Sequence, residues 1–336
     1  MPKKLRIRVC YLLAAVLLIT LPTLVRRRDA VTVAAEGYIK WVDFDVTAEV
    51  MRAALKYDLE SYEASRTDDT VKHAPFVTLI ALAATKYGGD FSRCKASDIQ
   101  TFAERLMAGE APEDIAASSK TFPYFLEAYE AALGGFVGNY AVQTDAGLSK
   151  RYGLKVFSPI AAGYSYSDYD DFGAARSYGY RRPHLGHDMM GSVGTPIIAV
   201  ESGYVEACGW NQYGGWRIGI RSFDGKRYYY YAHLRKDHPY NDIYEGKIVT
   251  AGEVIGYLGM TGYSAKENVN NIDTPHLHFG VQLIFDSSQK DGWNQIWLDL
   301  WEYTRFLQNV RSAVYYDKES GEFYPKNPIL DLDIPD

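Results

Sequence analysis

Cysteine is scarce in this chain: three in 336 residues, at positions 10, 94 and 208. None stands at the close spacing of a thiolate zinc site, and Cys94 and Cys208 are over a hundred residues apart. A Cys-ligated metal and a disulfide framework are therefore not expected. A basic excess is missing too. The formal net charge is −6, and residues 1–28 hold seven Lys/Arg and no Asp/Glu, which leaves the remainder at about −13. So acidic a body argues against nucleic acid as a partner. It also means that net charge does not draw the protein to an anionic surface.

Long apolar runs are limited to one, Val9–Val25, seventeen uncharged and mostly apolar residues. That is the short end of a membrane span. Lys3, Lys4, Arg6 and Arg8 precede it, and Arg26, Arg27 and Arg28 follow at once. A cleaved signal peptide is the competing reading. The three arginines occupy the place of a small-residue cleavage site, which favours an uncleaved signal anchor over residues 1–28. Basic residues on both flanks leave the orientation open.

Residues 29–45 read as a linker. Over 46–140 the apolar period is helical, with Val46, Val50, Ala53, Ala54 and Tyr57 on one face. Pro75–Tyr87 is a second apolar helix stopped by Gly88-Gly89, and Ser97–Gln100 is a capping-box pattern. Pro112 suits a first helical turn, and a last helix ends at Gly134-Gly135. This predicts a small all-α domain of unknown role. Asp58, Glu49, Glu60 and Glu63 are expected on a solvated face rather than in a glycosidase-like pair.

Residues 139–155 read as a linker or edge strand. Beyond them come short Val/Ile/Tyr runs broken by glycine. Ile197–Val205, Trp216–Ser222, Lys226–His233, Lys247–Thr250, Glu253–Leu258 and Leu277–Ile284 are expected strands, with Asp224-Gly225 as a hairpin turn. The fold class is therefore multidomain α and β: an anchor, an all-α domain, then an antiparallel all-β domain over 150–286. Trp293–Val310 reads as an amphipathic C-terminal helix, followed by an irregular tail to 336.

Histidine is also sparse, yet five of the seven fall at 184, 187, 233, 276 and 278. In His276-x-His278 both side chains leave a strand on one face. One can then ligate a metal while the other serves as a base. His184 and Asp188 flank Gly186, where the backbone can bend so that a nitrogen and an oxygen donor converge. Two histidines and a carboxylate suit Zn²⁺ and leave a fourth position for water.

His184-Leu-Gly-His-Asp188, Tyr231-Ala-His233-Leu and His276-Leu-His278-Phe together resemble the lysostaphin/LytM-like zinc metallo-endopeptidases, which cut peptides of bacterial peptidoglycan. Phe172–Arg176, Gly194–Gly203, Gly252–Gly256 and Thr261–Ser264 extend the resemblance over about 156–285. It implies a duplicated-hybrid-motif type β-domain of two sheets with a groove across the metal. It further implies one Zn²⁺ on His184, Asp188 and His278. His276 would act as general base or orient the water, and His233 would stabilise the oxyanion or share the base role. His187 departs from the family's usual apolar residue and is expected beside the site or exposed. Tyr229 and Tyr231 are the expected substrate-lining members of the run Tyr228–Tyr231. The implied substrate is a stem or cross-bridge peptide, which places the domain outside a bacterial membrane, held by the N-terminal helix or secreted after cleavage. Cell-wall, divisome or sporulation partners stay unspecified. Two other readings remain: a non-hydrolytic scaffold that binds wall peptide or activates a partner hydrolase, and a zinc protease acting on ordinary proteins.

Overall fold

The computed structural model describes residues 32–34, 37–144, 147–178, 180–290, 294–332 and 334. The expected anchor and Cys10 lie outside these. Among the described residues no helix is long and apolar enough to cross a membrane.

Five helices follow the Gly37–Val42 strand and precede the rest of the β-structure: α1 (Ala48–Thr67), α2 (Phe76–Tyr87), α3 (Ala96–Met107), α4 (Pro112–Ile115) and α5 (Phe122–Leu133). Local chemistry sets their ends. Thr47 caps α1 by accepting from the Val50 amide at 3.3 Å, and Gly88 closes α2 in the left-handed region at φ 66°. Helix α3 starts one residue before the expected cap Ser97, because the Asp98 carboxylate accepts from the Lys95 amide at 2.9 Å. Asp58 departs from the expected solvated face. It is buried, and its carboxylate accepts from the Phe76 amide at 2.6 Å, so it serves the start of α2. Glu49, Glu60 and Glu63 are exposed as expected.

The main sheet runs in space Gly37–Val42, Ile296–Leu298, His276–Leu283, Arg227–Ala232, Gly215–Ser222, Gly203–Asn211 and Ile248–Val249. Neighbours are antiparallel except the first pair, which is parallel. A short strand, His187–Met190, pairs with the start of His276–Leu283. Val254–Tyr257 and Pro196–Ile198 form a second, two-stranded sheet.

Helices and sheet share one apolar core, which extends from Val46 in the helical layer to Leu307. At the join Arg227 is fully buried. It holds Glu201 through two bonds of 2.8 and 3.0 Å, and its Nη1 donates to the Glu130 and Ala131 carbonyls at the end of α5, at 3.2 and 2.8 Å. The orphan carbonyls of a helix end are thus satisfied by a cation, which the helix dipole also favours. Gly135 permits this approach: a Cβ there would sit 1.7 Å from Glu201 Oε1.

Several connecting segments differ from expectation. The 29–45 linker contains the Gly37–Val42 strand, whereas 139–155 follows its edge-strand alternative, in a hairpin of Val137–Thr144 with Gly147–Leu154. Trp293–Val310 is not one helix. Ile296–Leu298 inserts as a strand between Gly37–Val42 and His276–Leu283, and only Trp301–Leu307 (α6) is helical, begun by Asp299 accepting from the Trp301 amide at 3.1 Å. The tail is ordered as a Val314–Asp317/Glu322–Pro325 hairpin and a strand, Ile329–Asp331, on Val137–Thr144. Gly37–Val42 with Ile296–Leu298, and Ile329–Asp331 with Val137–Thr144, are pairings between segments remote in sequence, which local composition does not reveal.

Candidate metal centre and groove

Strand register assembles the site. Asp188 lies directly opposite His278, and Ala232 opposes His278 from the other side. Directly opposed residues present their side chains on the same face, so Asp188 and His278 meet although 90 positions separate them. His184, in the turn before that strand, closes the group. Gly186 makes room: a Cβ there would lie 2.5 Å from His278 Cε1.

His184 Nε2, Asp188 Oδ1 and His278 Nδ1 form a triangle with sides of 3.0, 3.0 and 2.9 Å. These three residues are the group able to hold a metal among the described residues. Donors around one tetrahedral zinc stand roughly 3.3 Å apart, so the triangle has the right size. The donor set fits as well. The outer nitrogen of His184, Nδ1, donates to Asp171 Oδ1 at 3.0 Å, which turns the lone pair of Nε2 inward. Three acceptors at such distances repel one another unless a proton or a cation sits among them.

The electrostatics agree. Burial opposes a charge on His184, but Asp171 and Asp188 outweigh it and push its pKa up to about 9. Burial also opposes the Asp188 carboxylate, yet hydrogen bonds from His184 and His278 hold its pKa far below the ordinary range. Burial lowers His278. Arg176 bonds Asp171 and lies 3.2 Å from Asp188 Oδ2, which adds a fixed positive charge behind both carboxylates.

His233 and His276 flank this cluster, their rings 4.8 Å apart. Each is pinned by its Nδ1 to a main-chain carbonyl: His233 to Thr261 O and His276 to Thr274 O, both at 2.8 Å. With Nδ1–H donating, both present a bare Nε2. Burial, reinforced by the neighbouring His276 and His278, holds His233 neutral, far below its ordinary pKa. His276 Nε2 lies 3.8 Å from Asp188 Oδ1.

These residues line a groove of about 740 Å³. Tyr228 and Tyr230 line it, whereas the expected Tyr229 and Tyr231 are wholly buried on the opposite face. Tyr229 Oη donates to Glu201 at 2.5 Å, and Tyr231 Oη accepts from the Val200 amide at 3.0 Å, so both belong to the core. Strict alternation from His233 would place Tyr229 and Tyr231 on its face. His233 has φ 62° and turns out of the strand, which breaks the alternation. His187, expected beside the site or exposed, is neither: it opposes Phe279 on the far face, buried and bonded to Asp168 at 2.9 Å. Asp171 was not anticipated. Its only signal in the sequence is its place beside the Phe172–Arg176 segment. Both Cys94 and Cys208 are free thiols.

Residues 182–291 match the model of Peptidase family M23. The L-Ala–D-Glu endopeptidase of Bacillus subtilis is 42% identical over 123 residues, 37% of this chain and 36% of that protein. Lysostaphin of Staphylococcus staphylolyticus is 41% identical over 97 residues, 29% of this chain and 18% of its own. The chain therefore spans about a third or less of the length of these relatives. The crystal structure of the lytM protein of Ruminococcus gnavus shares the fold at a TM-score of 0.50 and 23% identity, covering 82% of this chain and 93% of that one. Matched sequence and a three-donor cluster coincide in one stretch: residues 182–291, which carry His184, Asp188 and His278, are similar to peptidase family M23.

Proposed function

We propose that this protein is a zinc-dependent endopeptidase that hydrolyses peptide bonds of bacterial peptidoglycan. The observation that carries the reading is the convergence of His184 Nε2, Asp188 Oδ1 and His278 Nδ1 beside two histidines that both offer a bare Nε2. Relatives named as an L-Ala–D-Glu endopeptidase and as lysostaphin support the substrate class.

His184, Asp188 and His278 would hold the zinc, with Asp171 fixing the His184 ring. When bound, zinc supplies a Lewis acid that lowers the pKa of water and polarises a carbonyl. His233, kept neutral by burial, accepts the proton of the attacking water at Nε2. His276, at the groove wall, orients that water by accepting its other hydrogen at Nε2, and the proton taken up by His233 passes to the leaving amine. Tyr228 and Tyr230, rather than Tyr229 and Tyr231, contact the peptide. Val9–Val25 would serve as a membrane anchor, with the groove on the outer side.

The test uses the full chain, purified and loaded with zinc, on isolated peptidoglycan. Metal content is measured and the released muropeptides are read by mass spectrometry, with His276→Ala and His184→Ala beside it. The expected result is one zinc per chain and new peptide termini, the termini lost in both variants and the zinc lost in His184→Ala. A zinc-loaded protein that releases no new termini would sink the hydrolase and leave a binding scaffold.

A further inference from the structure

Among the described residues, two guanidiniums of the groove have no carboxylate paired with them. Arg182 is held between the rings of Tyr213 and Tyr263, its Cζ 5.2 and 5.1 Å from their centroids. Its Nη1 is buried and has no hydrogen-bond partner, and the same is true of Arg217 Nε. Both residues line the groove, and both act electrostatically on the phenol of Tyr230. The nearby carboxylates are already engaged. Glu206 is held by Arg221 at 2.8 and 3.1 Å and by Lys290 at 2.9 Å, while Asp171 and Asp188 serve His184 and Arg176. An otherwise acidic chain therefore keeps a patch of uncompensated positive charge at this wall.

The patch sits next to the reacting groups. Tyr263, which packs on Arg182, lies with its ring 5.7 Å from that of His233, and the Tyr230 ring is 6.0 Å from that of His278. A guanidinium always carries its charge, and its planar fork matches a carboxylate. Stacking between two rings fixes that fork before a ligand arrives. A buried donor left without a partner in the free protein is satisfied by an acceptor that a ligand brings.

We propose that Arg182, assisted by Arg217, recognises a free carboxylate on the substrate residue next to the scissile bond, so that the groove selects an acidic peptide over a neutral one such as a glycine bridge. This rests on the endopeptidase reading above and adds the substrate class to it. A D-Glu joined through its γ-carbonyl, with its amino group in the scissile bond and its α-carboxylate free, has the required chemistry. In the step itself the carboxylate takes no covalent part.

Two synthetic peptides separate the ideas: N-acetyl-L-Ala–γ-D-Glu–L-Lys, and the same peptide with the D-Glu α-carboxylate converted to a carboxamide. Binding to the zinc-loaded full chain is measured by calorimetry, and cleavage by mass spectrometry. The free acid is expected to bind at least tenfold more tightly and to be cut with at least tenfold higher kcat/KM. Arg182→Gln should bring the binding ratio to within about threefold of unity, and Arg182→Lys should retain an intermediate ratio. Zinc content equal to the parent's confirms folding, and Arg217→Gln provides a second variant that lowers the ratio. Equal binding of acid and amide, binding of neither, or a ratio that survives both glutamine variants would overturn the proposal. A preserved binding ratio without cleavage of either peptide would instead remove the endopeptidase reading and leave the carboxylate site standing.

Discussion

His184 Nδ1 donates to Asp171 Oδ1 at 3.0 Å, while its other nitrogen lies 3.0 Å from both Asp188 and His278. Asp171 therefore selects the His184 tautomer without touching the metal position. Asp171→Asn should weaken zinc binding by about 10–100-fold with the fold intact. Competition with a chromophoric chelator measures this, and unchanged affinity would remove Asp171 from the site.

Zinc affinity should depend on pH in one direction. In the metal-free site Asp171 and Asp188 push His184 up to about 9, so at pH 7 that imidazole holds a proton which zinc must displace. Affinity is expected to rise about tenfold per pH unit from pH 6 toward 9 and to level off above. Chelator competition at four pH values gives the slope, and a flat profile would contradict the shift.

Arg227→Met should destabilise the whole chain by about 3–5 kcal/mol, because Glu201 is left charged, buried and without its cation. The α5 carbonyls lose their donor at the same time. Adding Glu201→Met should recover at least half of the loss. Urea denaturation of the three proteins provides the comparison, and two additive losses would show that the pair is not coupled.

The four consecutive tyrosines should divide by parity. Tyr229→Phe removes a donor to Glu201 and should lower stability by about 1–3 kcal/mol with KM unaltered. Tyr230→Phe changes the groove, where Asn211 Nδ2 donates to its Oη at 3.3 Å, and should change KM with little cost in stability. Denaturation and steady-state kinetics on one peptide substrate separate the two effects, and a KM change in Tyr229→Phe alone would reverse the assignment of faces.

Much of the site could be read from residue types and short spacings. His184, Asp188, His233, His276 and His278 stand in motifs whose chemistry is local: two imidazoles two residues apart, and a glycine between a nitrogen and an oxygen donor. The Asp224-Gly225 turn was equally legible, since Gly225 takes φ 75° where a side chain would be strained. Helix ends at Thr47 and Gly88 follow from the same short-range rules.

What lay outside the sequence was pairing at a distance. Which tyrosines face the groove depends on Ala232 standing opposite His278, and on His233 leaving the strand at φ 62°. The Ile296–Leu298 strand exists because two strands from opposite ends of the chain offer it hydrogen bonds, which a helical apolar period cannot reveal. Asp171 gains its role only when His184 is folded against it. The sequence by itself determined the donor types and the chemistry they permit, because these reside in single side chains. The tertiary structure decided the face, the tautomer and the unpaired guanidiniums, because each depends on which distant residue completes the hydrogen bond.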